Sequence, residues 1–201
     1  MAQIAVLDYG SGNLYSVSRA LAHAGGEPVV TGDPLQVALA DALVIPGVGH
    51  FGHCMRAIRA KGLDRAIAEA VGTGKRVFGV CVGMQVLFER SDEDSETGLG
   101  VLPGVSRRLP DGVKVPHIGW NEVAWQRPHP YAEGIPDGTR FYFVHSYAPD
   151  ASDDSVGVTE HGRRFAAVAS RDNVFATQFH PEKSGEAGLA LYANFVKAVS
   201  R

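Results

Sequence analysis

The sequence predicts an α/β fold with three layers, in which helices cover a mixed, mainly parallel central sheet and an antiparallel portion is added to that sheet. Apolar strand candidates with little polar alternation are separated by helical stretches in the first half, a pattern typical of parallel strands buried on both faces. The second half contains short strand candidates with turn residues at hairpin spacing. A length of 201 residues and a hydrophobic fraction of 45% fit one domain over residues 1–201.

In the first half, strands and helices alternate. The predicted strands cover residues 3–7, 28–31, 42–45 and 77–80. Apolar residues at positions 14, 17 and 21 have near-helical spacing and predict a helix that ends at Gly25 and Gly26. Residues 51–71 are mostly helical in pattern, with a break at Gly62, and residues 83–90 predict the start of another helix.

The second half changes character after Ser91, where a polar, glycine-containing stretch begins. Its predicted strands cover residues 113–115, 121–125, 140–144, 155–159, 165–168 and 173–177. A final helix is expected at about residues 186–199. These elements predict the antiparallel portion of the sheet and one closing helix.

Charge and composition exclude several classes of function. A formal net charge of -3 gives no general attraction to nucleic acid or to an anionic membrane. No apolar stretch reaches the length of about 18 residues that is typical of a membrane-spanning helix. The two cysteines, Cys54 and Cys81, are too few for a disulfide scaffold, and we expect a reduced, cytoplasmic setting.

One of these cysteines lies in a pentapeptide with a glycine two residues to each side, Gly79-Val-Cys-Val-Gly83. This is the pattern of a nucleophile elbow, a sharp turn from strand to helix that exposes the central side chain. The helix expected after Cys81 would direct free N–H groups at the sulfur and favour the reactive thiolate. The alternative is a buried cysteine that serves as a small hydrophobic residue. Cys54 lacks an elbow, and we expect it to be such a residue.

A cysteine nucleophile needs a base, and residues 177–183 supply a histidine and a carboxylate. His180 and Glu182 follow a predicted strand and point to the same side of an extended chain, since side chains alternate with a period of two. Pro181 donates no ladder hydrogen bond, which suits the end of a strand. We therefore expect Cys81, His180 and Glu182 to form a catalytic triad.

Six motifs in fixed order make the chain resemble a known family. They are DYGSGNL at 8–14, PGVG at 46–49, GVCVGMQ at 79–85, HIGWN at 117–121, YFVHSY at 142–147 and FHPEKS at 179–184. Together they are similar to the class I, triad-type glutamine amidotransferases, and within these to the glutaminase subunits of imidazole glycerol phosphate synthase, an enzyme of histidine biosynthesis. The resemblance extends from residue 4 to about residue 197.

The resemblance implies hydrolysis of L-glutamine to glutamate and ammonia through a thioester on Cys81. It also implies an oxyanion site made by the backbone N–H of Val48 or Gly49 together with that of Val82. The residues implied to hold the glutamine are Gly49, Gln85, Glu93, His145, Ser146 and Tyr147. For Gln85 and Glu93, the alternatives from the sequence alone are an exposed helix residue and a solvated charge.

The family further implies a separate partner, a (β/α)₈-barrel cyclase subunit that forms a heterodimer with the glutaminase. The cyclase receives ammonia through an internal passage and makes imidazole glycerol phosphate and an aminoimidazole carboxamide ribotide. The residues in the matching motifs that we expect at this interface are Asn13, Trp120, Tyr142 and Lys183. Ordinary turn, core and surface roles remain open for all four.

Two sequence patterns suggest a dinucleotide site and a metal site as alternatives. Residues 47–52 match G-x-G-x-x-G, but they follow the third strand and lack an acidic ribose partner about 20 residues later, so we expect no dinucleotide cofactor. His50, His53 and Cys54 lack the four-ligand pattern of a zinc site, and we expect no metal. Three other functions stay open: the glutaminase of another amidotransferase such as pyridoxal phosphate synthase, a non-catalytic regulatory module of this type, and a cysteine peptidase.

Overall fold

The computed structural model describes residues 2–200 and contains thirteen strands and six α-helices. The strands are β1 Gln3–Leu7, β2 Glu27–Thr31, β3 Ala42–Gly47, β4 Arg76–Cys81, β5 Arg90–Ser91, β6 Val105–Arg108, β7 His117–Glu122, β8 Ala124–Trp125, β9 Arg140–His145, β10 Tyr147–Pro149, β11 Ser155–Glu160, β12 Arg164–Arg171 and β13 Val174–Thr177. The α-helices are α1 Leu14–His23, α2 Pro34–Leu39, α3 Phe51–Ala60, α4 Leu63–Gly72, α5 Val82–Gln85 and α6 Gly185–Val199. Two short 3₁₀ turns cover Pro130–Ala132 and Pro181–Lys183.

The central sheet has eight strands in the order β2-β1-β3-β4-β13-β12-β11-β8. The strands from β2 to β13 are parallel, and β12, β11 and β8 continue the sheet in antiparallel pairs. Smaller sheets of three strands, β10-β6-β5, and of two strands, β7-β9, lie beside it. This arrangement confirms the predicted mixed sheet with an added antiparallel portion.

Helices cover both faces of the parallel half. Right-handed crossovers place α1 on one face and α2, α3 and α4 on the other, because the chain reverses its direction across the sheet after β2. Consistent with this, α1 packs against α6, and α2 and α3 pack against α4. One hydrophobic core contains residues from Ile4 to Val196. Among the helices of residues 2–200, none combines the length and the apolar character needed to cross a membrane.

The predicted helix over residues 83–90 is wrong beyond its first turn. Only α5, four residues long, forms, and the chain turns away after it. The backbone carbonyls that a longer helix would use are instead bonded by another segment: Val86 O accepts from Leu99 N at 2.8 Å and Glu89 O from Gly98 N at 2.7 Å. Because residues 86–88 are all buried, no face is left for solvent, as an amphipathic helix would require.

The predicted strand at 113–115 is also wrong, since these residues form bends and irregular chain. Pro110 and Pro116 bracket the segment and lack the N–H groups of a ladder. The carbonyl of Lys114 accepts from His161 Nε2 at 2.8 Å instead of from a strand. The predicted strand at 121–125 begins earlier, at His117, and is split into β7 and β8. The other predicted strands and helices are confirmed within a few residues.

The sheet brings three segments of the chain to one edge. β3 and β4 are paired to their ends, where Gly47 lies opposite Cys81. β13 pairs with the other side of β4, with Thr177 opposite Val80, and leads directly to His180. Parallel strands place their carboxyl ends at the same edge, which is where α/β sheets bind ligands. Residues that are remote in sequence therefore meet there.

Candidate active site

Cys81 stands at a sharp turn between β4 and α5. Its backbone angles are φ 56° and ψ −114°, a conformation that residues with a Cβ rarely adopt. A Cβ added to Gly79 would lie 2.7 Å from the carbonyl oxygen of Gly83, and one added to Gly83 would lie 1.8 Å from that of Ile45. The glycines on either side of the cysteine are thus required by backbone crowding, as in a nucleophile elbow.

His180 and Glu182 lie at the start of the second 3₁₀ turn, which Pro181 opens. His180 Nδ1 is 2.8 Å from Glu182 Oε1, and both side chains are almost fully buried. Since a carboxylate accepts, Nδ1 carries the proton and Nε2 is the nitrogen available for chemistry. Among the described residues Nε2 has no hydrogen-bond partner.

Electrostatics favour a charged imidazole at His180. Burial opposes the positive charge, but the neighbouring Cys81 and Glu182 outweigh burial and raise the pKa of His180 to about 10. A protonated imidazole beside a cysteine is the arrangement that can supply a proton to a leaving group.

Both Cys81 and His180 border a cavity of about 290 Å³. Its wall also holds the residues expected at the oxyanion and glutamine sites and one expected at the interface: Val48, Gly49, Val82, Gln85, Glu93, His145, Ser146, Tyr147 and Lys183. Glu182 lies behind His180 and does not border it. A larger groove of about 740 Å³ runs along residues 125–135 and contains none of the expected site residues.

The loop beside the nucleophile is held from behind. Val48 O accepts hydrogen bonds from Ser11 Oγ at 2.7 Å and from Cys54 Sγ at 3.5 Å. In a trans peptide the N–H points away from the carbonyl, so the N–H of Gly49 points away from Ser11 and Cys54. Gly49 has φ 89°, which favours glycine. The loop that carries Val48 and Gly49, the two oxyanion donors that the sequence left open, is thus fixed at the Val48 carbonyl.

Gln85 is buried rather than exposed, and its amide is used by the protein itself. Its Nε2 donates to Tyr147 O at 2.9 Å and to Gln178 Oε1 at 3.1 Å. The amide of Gln178 also approaches Cys81, with Nε2 3.7 Å from Sγ. Glu93 is not a freely solvated charge either, because its Oε2 accepts from Phe51 N at 2.8 Å.

Gln178 is a site residue that was not predicted, although the sequence carries a signal for it. Gln178 and His180 share one side of an extended chain, because their side chains are separated by one period of two. Val144, which also borders the cavity, and Ser11 were missed as well. Nothing local to Ser11 indicates that its hydroxyl reaches a loop 37 residues later.

Two buried histidines, His145 and His117, support the part of the cavity wall that contains Tyr147. His145 Nδ1 donates to Tyr147 O at 2.9 Å, so its Nε2 is left to accept from His117 Nδ1 at 3.1 Å. Burial is the main cause that lowers the pKa of His145 to about 3 and that of His117 to about 4. Both rings are therefore neutral at physiological pH and fix the backbone of Tyr147 in place.

Three of the four expected interface residues share one surface beside the cavity. Trp120 is 55% exposed and meets the Tyr142 ring edge to face at 6.2 Å. Lys183 Nζ lies 5.8 Å from the centre of the Tyr142 ring. Asn13 instead turns inward, and its Nδ2 donates to Glu182 Oε1 at 3.3 Å. Ile118, which the sequence did not single out, is 54% exposed on the same strand as Trp120.

His50 and His53 do not border this cavity. His50, the N-cap of α3, is exposed and lies 3.6 Å from Asp94, and His53 is exposed on α3. Across residues 2–200, no group of three or more histidine, cysteine, aspartate or glutamate side chains has the arrangement of a metal site.

The chain is similar to known proteins in both sequence and structure. The family model for glutamine amidotransferase class-I matches residues 5–199. A solved structure of PurLQS from Thermotoga maritima superposes with a TM-score of 0.78 at 21% identity, covering 98% of this chain and 99% of the other. The glutaminase domain of Trypanosoma brucei CTPS superposes with a TM-score of 0.73 at 18% identity, covering 100% and 94%. At these identities the two structures establish the fold alone.

Curated relatives are much more similar in sequence. The imidazole glycerol phosphate synthase subunit HisH of Aromatoleum aromaticum is 46% identical, with 98% of both chains covered. The proteins of the same name from Dehalococcoides mccartyi and Dechloromonas aromatica are 48% and 50% identical, with 96% of this chain and 96% and 95% of theirs covered. The chain therefore belongs to the class-I glutamine amidotransferase family, within the group of HisH subunits of imidazole glycerol phosphate synthase.

Proposed function

We propose that Cys81, His180 and Glu182 are the catalytic triad with which this glutaminase subunit of imidazole glycerol phosphate synthase hydrolyses L-glutamine. One observation carries the proposal: a strained elbow cysteine and a histidine whose pKa is raised to about 10 border the same cavity of about 290 Å³. A cysteine kept only for packing needs neither the strained backbone nor the paired histidine.

The reaction begins when the Cys81 thiolate attacks the side-chain carboxamide carbon of glutamine. The oxyanion that forms is stabilised by the N–H groups of Gly49 and Val82, with Val48 N–H as the alternative first donor. His180 Nε2 gives its proton to the departing nitrogen, so that ammonia leaves and a γ-glutamyl thioester remains. The same nitrogen then takes a proton from water, the hydroxide attacks the thioester, and glutamate leaves with the thiolate restored.

Other residues hold the substrate and the histidine. Glu182 keeps His180 in the tautomer with Nδ1 protonated and stabilises its positive charge, as an acidic triad member does. Glu93, His145, Ser146 and Tyr147 are proposed to contact the amino-acid end of glutamine. For Gln85, the bond to Tyr147 O supports a role in placing that backbone.

The ammonia needs an acceptor in a partner subunit. We infer that this partner is a (β/α)₈-barrel cyclase, which joins the ammonia to a phosphorylated ribulosyl aminoimidazole carboxamide compound. The exposed surface of Trp120, Tyr142 and Lys183 beside the cavity supports docking there, with Asn13 at its inner side. Residues 1–201 are proposed to act as one domain, in the cytoplasm, where a thiol nucleophile stays reduced.

The test of the proposed triad is a glutaminase assay on the wild type and on Cys81→Ala. We expect loss of turnover by at least about 10³-fold, because the nucleophile of the covalent step is removed. Melting curves of both proteins serve as the control for folding. A glutamine-derived diazoketone should label Cys81 and not Cys54, as read by mass spectrometry of peptides. Turnover retained by the variant contradicts the assignment.

The test of the proposed partner is the same assay with and without the cyclase subunit and its nucleotide ligand. Activity that rises only when the loaded cyclase is present supports the assignment. If an unrelated barrel protein that does not bind the chain raises glutaminase activity as much as the cyclase does, the assignment is contradicted.

A further inference from the structure

Besides His180 Nε2, two further buried polar atoms near the proposed triad have no hydrogen-bond partner within residues 2–200. One is Oε2 of Glu182, whose other oxygen, Oε1, bonds both His180 Nδ1 and Asn13 Nδ2. The other is the hydroxyl of Tyr192 on α6, a side chain with no exposed surface. An unpaired buried donor or acceptor costs about 1–3 kcal/mol. A free donor and a free acceptor in the same region are therefore expected to bond each other.

The packing of α6 brings them together. A Cβ on Gly188 would lie 1.9 Å from the carbonyl oxygen of Pro181, so the helix approaches the 3₁₀ turn as closely as only glycine permits. Tyr192 follows Gly188 by four residues and lies on the same face of the helix, the face that meets this turn. Glu182 is the residue directly after Pro181.

We propose that Tyr192 is a positioning residue for the triad, and that its hydroxyl donates a hydrogen bond to Oε2 of Glu182. The inference rests on the proposed function and adds a fourth member to its machinery. The carboxylate is then held at both oxygens, by His180 and Asn13 at one and by Tyr192 at the other. A carboxylate held in this way cannot rotate away from His180 Nδ1 during turnover.

The protonation of the tyrosine agrees with a donor role. Burial, with the neighbouring Glu182 as a further cause, raises the pKa of Tyr192 well above its ordinary value, so the hydroxyl keeps its proton at physiological pH. The other charged groups around Glu182 are His180, on the same turn, and Arg19 and His23 of α1, which border a second cavity of about 310 Å³ with it.

The experiment compares wild type with Tyr192→Phe, which removes only the hydroxyl. We expect kcat to fall about tenfold with KM within about twofold, because the lost bond acts on the catalytic step and not on substrate binding. The alkaline limb of the pH profile, which reports His180, should move to lower pH, since a mobile carboxylate supports the imidazolium less well. Tyr131→Phe is the control: this buried tyrosine packs on Phe195 of the same helix, but its hydroxyl lies near Arg76.

A structural role alone gives a different result. If Tyr192→Phe lowers the melting temperature while kcat and the alkaline limb stay as in wild type, or if the limb moves to higher pH, the proposal is overturned. A wild type that shows no glutaminase activity even with the loaded cyclase subunit overturns the proposed function instead. Should the variant not fold, the hydroxyl proton of Tyr192 in the wild type decides by NMR: a low-field signal that shifts upfield in Glu182→Gln supports the bond, and an unshifted signal refutes it.

Discussion

Cys81 has backbone angles, φ 56° and ψ −114°, that disfavour any residue with a Cβ atom. Such strain is of order 1–3 kcal/mol and persists only where the surroundings leave no alternative. Here the close approach of Gly83 to Ile45 O fixes the chain on one side, and the pairing of β4 with β3 and β13 fixes it on the other. This strained turn places Cys81 at the wall of the cavity.

This strain predicts an inverted order of stability at position 81. Cys81→Gly and Cys81→Ala both lose the sulfur, and differ only in the Cβ. In an ordinary helix glycine is less stable than alanine by about 1 kcal/mol, whereas here we expect the glycine variant to be more stable by about 1–2 kcal/mol. Urea unfolding followed by circular dichroism measures the difference. A glycine variant equal to or weaker than the alanine variant shows that the elbow is not strained.

At the scale of single residues, local spacing and the family resemblance were enough to predict a triad of Cys81, His180 and Glu182. The triad stays a prediction, and the structure places His180 Nδ1 2.8 Å from Glu182 Oε1. Tyr192 was not predicted, because its relation to Glu182 depends on how α6 packs on a turn, which no local pattern carries. For Gln178, the sequence predicts the side of the chain on which the side chain lies, but it does not predict the contact with Cys81.

At the scale of elements, α5 shows that a nucleophile elbow requires close packing of the backbone. The helix is only four residues long, so its dipole and free N–H groups are weaker support for the thiolate than a long helix would give. Its position depends instead on direct backbone contact, because Gly83 lies against the end of β3. The elbow is therefore held in place by backbone packing and not by a long helix.

This contact predicts that Gly83→Ala is strongly destabilising. The added Cβ would lie 1.8 Å from Ile45 O, a backbone atom that cannot move without displacing β3. We expect a loss of about 3 kcal/mol or more, with loss of glutaminase activity. Gly72→Ala at the end of α4 is the control, because its Cβ meets nothing within 4 Å and alanine favours the helix. Equal melting temperatures for the two variants would refute the contact.

The errors in predicted elements have a common physical cause. At residues 86–89 the carbonyls find donors in residues 98–102, and at residue 114 the carbonyl finds a histidine ring. In both places a contact with a distant segment replaced the local hydrogen bonds that the pattern favoured. Elements with strong periodicity and clear stops, such as α3 and α4 around Gly62, were predicted well because local and distant preferences agree.

At the scale of the whole molecule, the candidate site depends on side chains that only the complete sheet brings together. Ser11, Cys81 and His180 belong to three distant parts of the chain, and each follows or ends a parallel strand. The eight-stranded order fixes their neighbourhood, since β4 lies between β3 and β13. The separate β7-β9 pair then adds His117 and His145, which support the cavity wall at Tyr147.

These histidines link the stability of the whole fold to pH. His117 and His145 are 5% and 6% exposed, and burial is the main cause of pKa values of about 4 and about 3. Unfolded histidines bind protons near pH 6.5. Their contribution to stability is therefore fully present above pH 6.5 and is lost as the pH falls from 6.5 toward 4, because only the unfolded state is protonated there.

We expect the free energy of unfolding to fall with a slope of about 1.4 kcal/mol per pH unit for each of these two histidines between pH 6 and pH 5. Urea unfolding at a series of pH values measures the slope. His145→Gln should remove about a third of the contribution of the buried histidines, because glutamine does not titrate while His117 and His129, whose pKa burial also lowers to about 4, remain. His53→Gln is the control, since this exposed side chain has no buried partner to lose. A slope unchanged by His145→Gln would show that the buried pair does not govern acid stability.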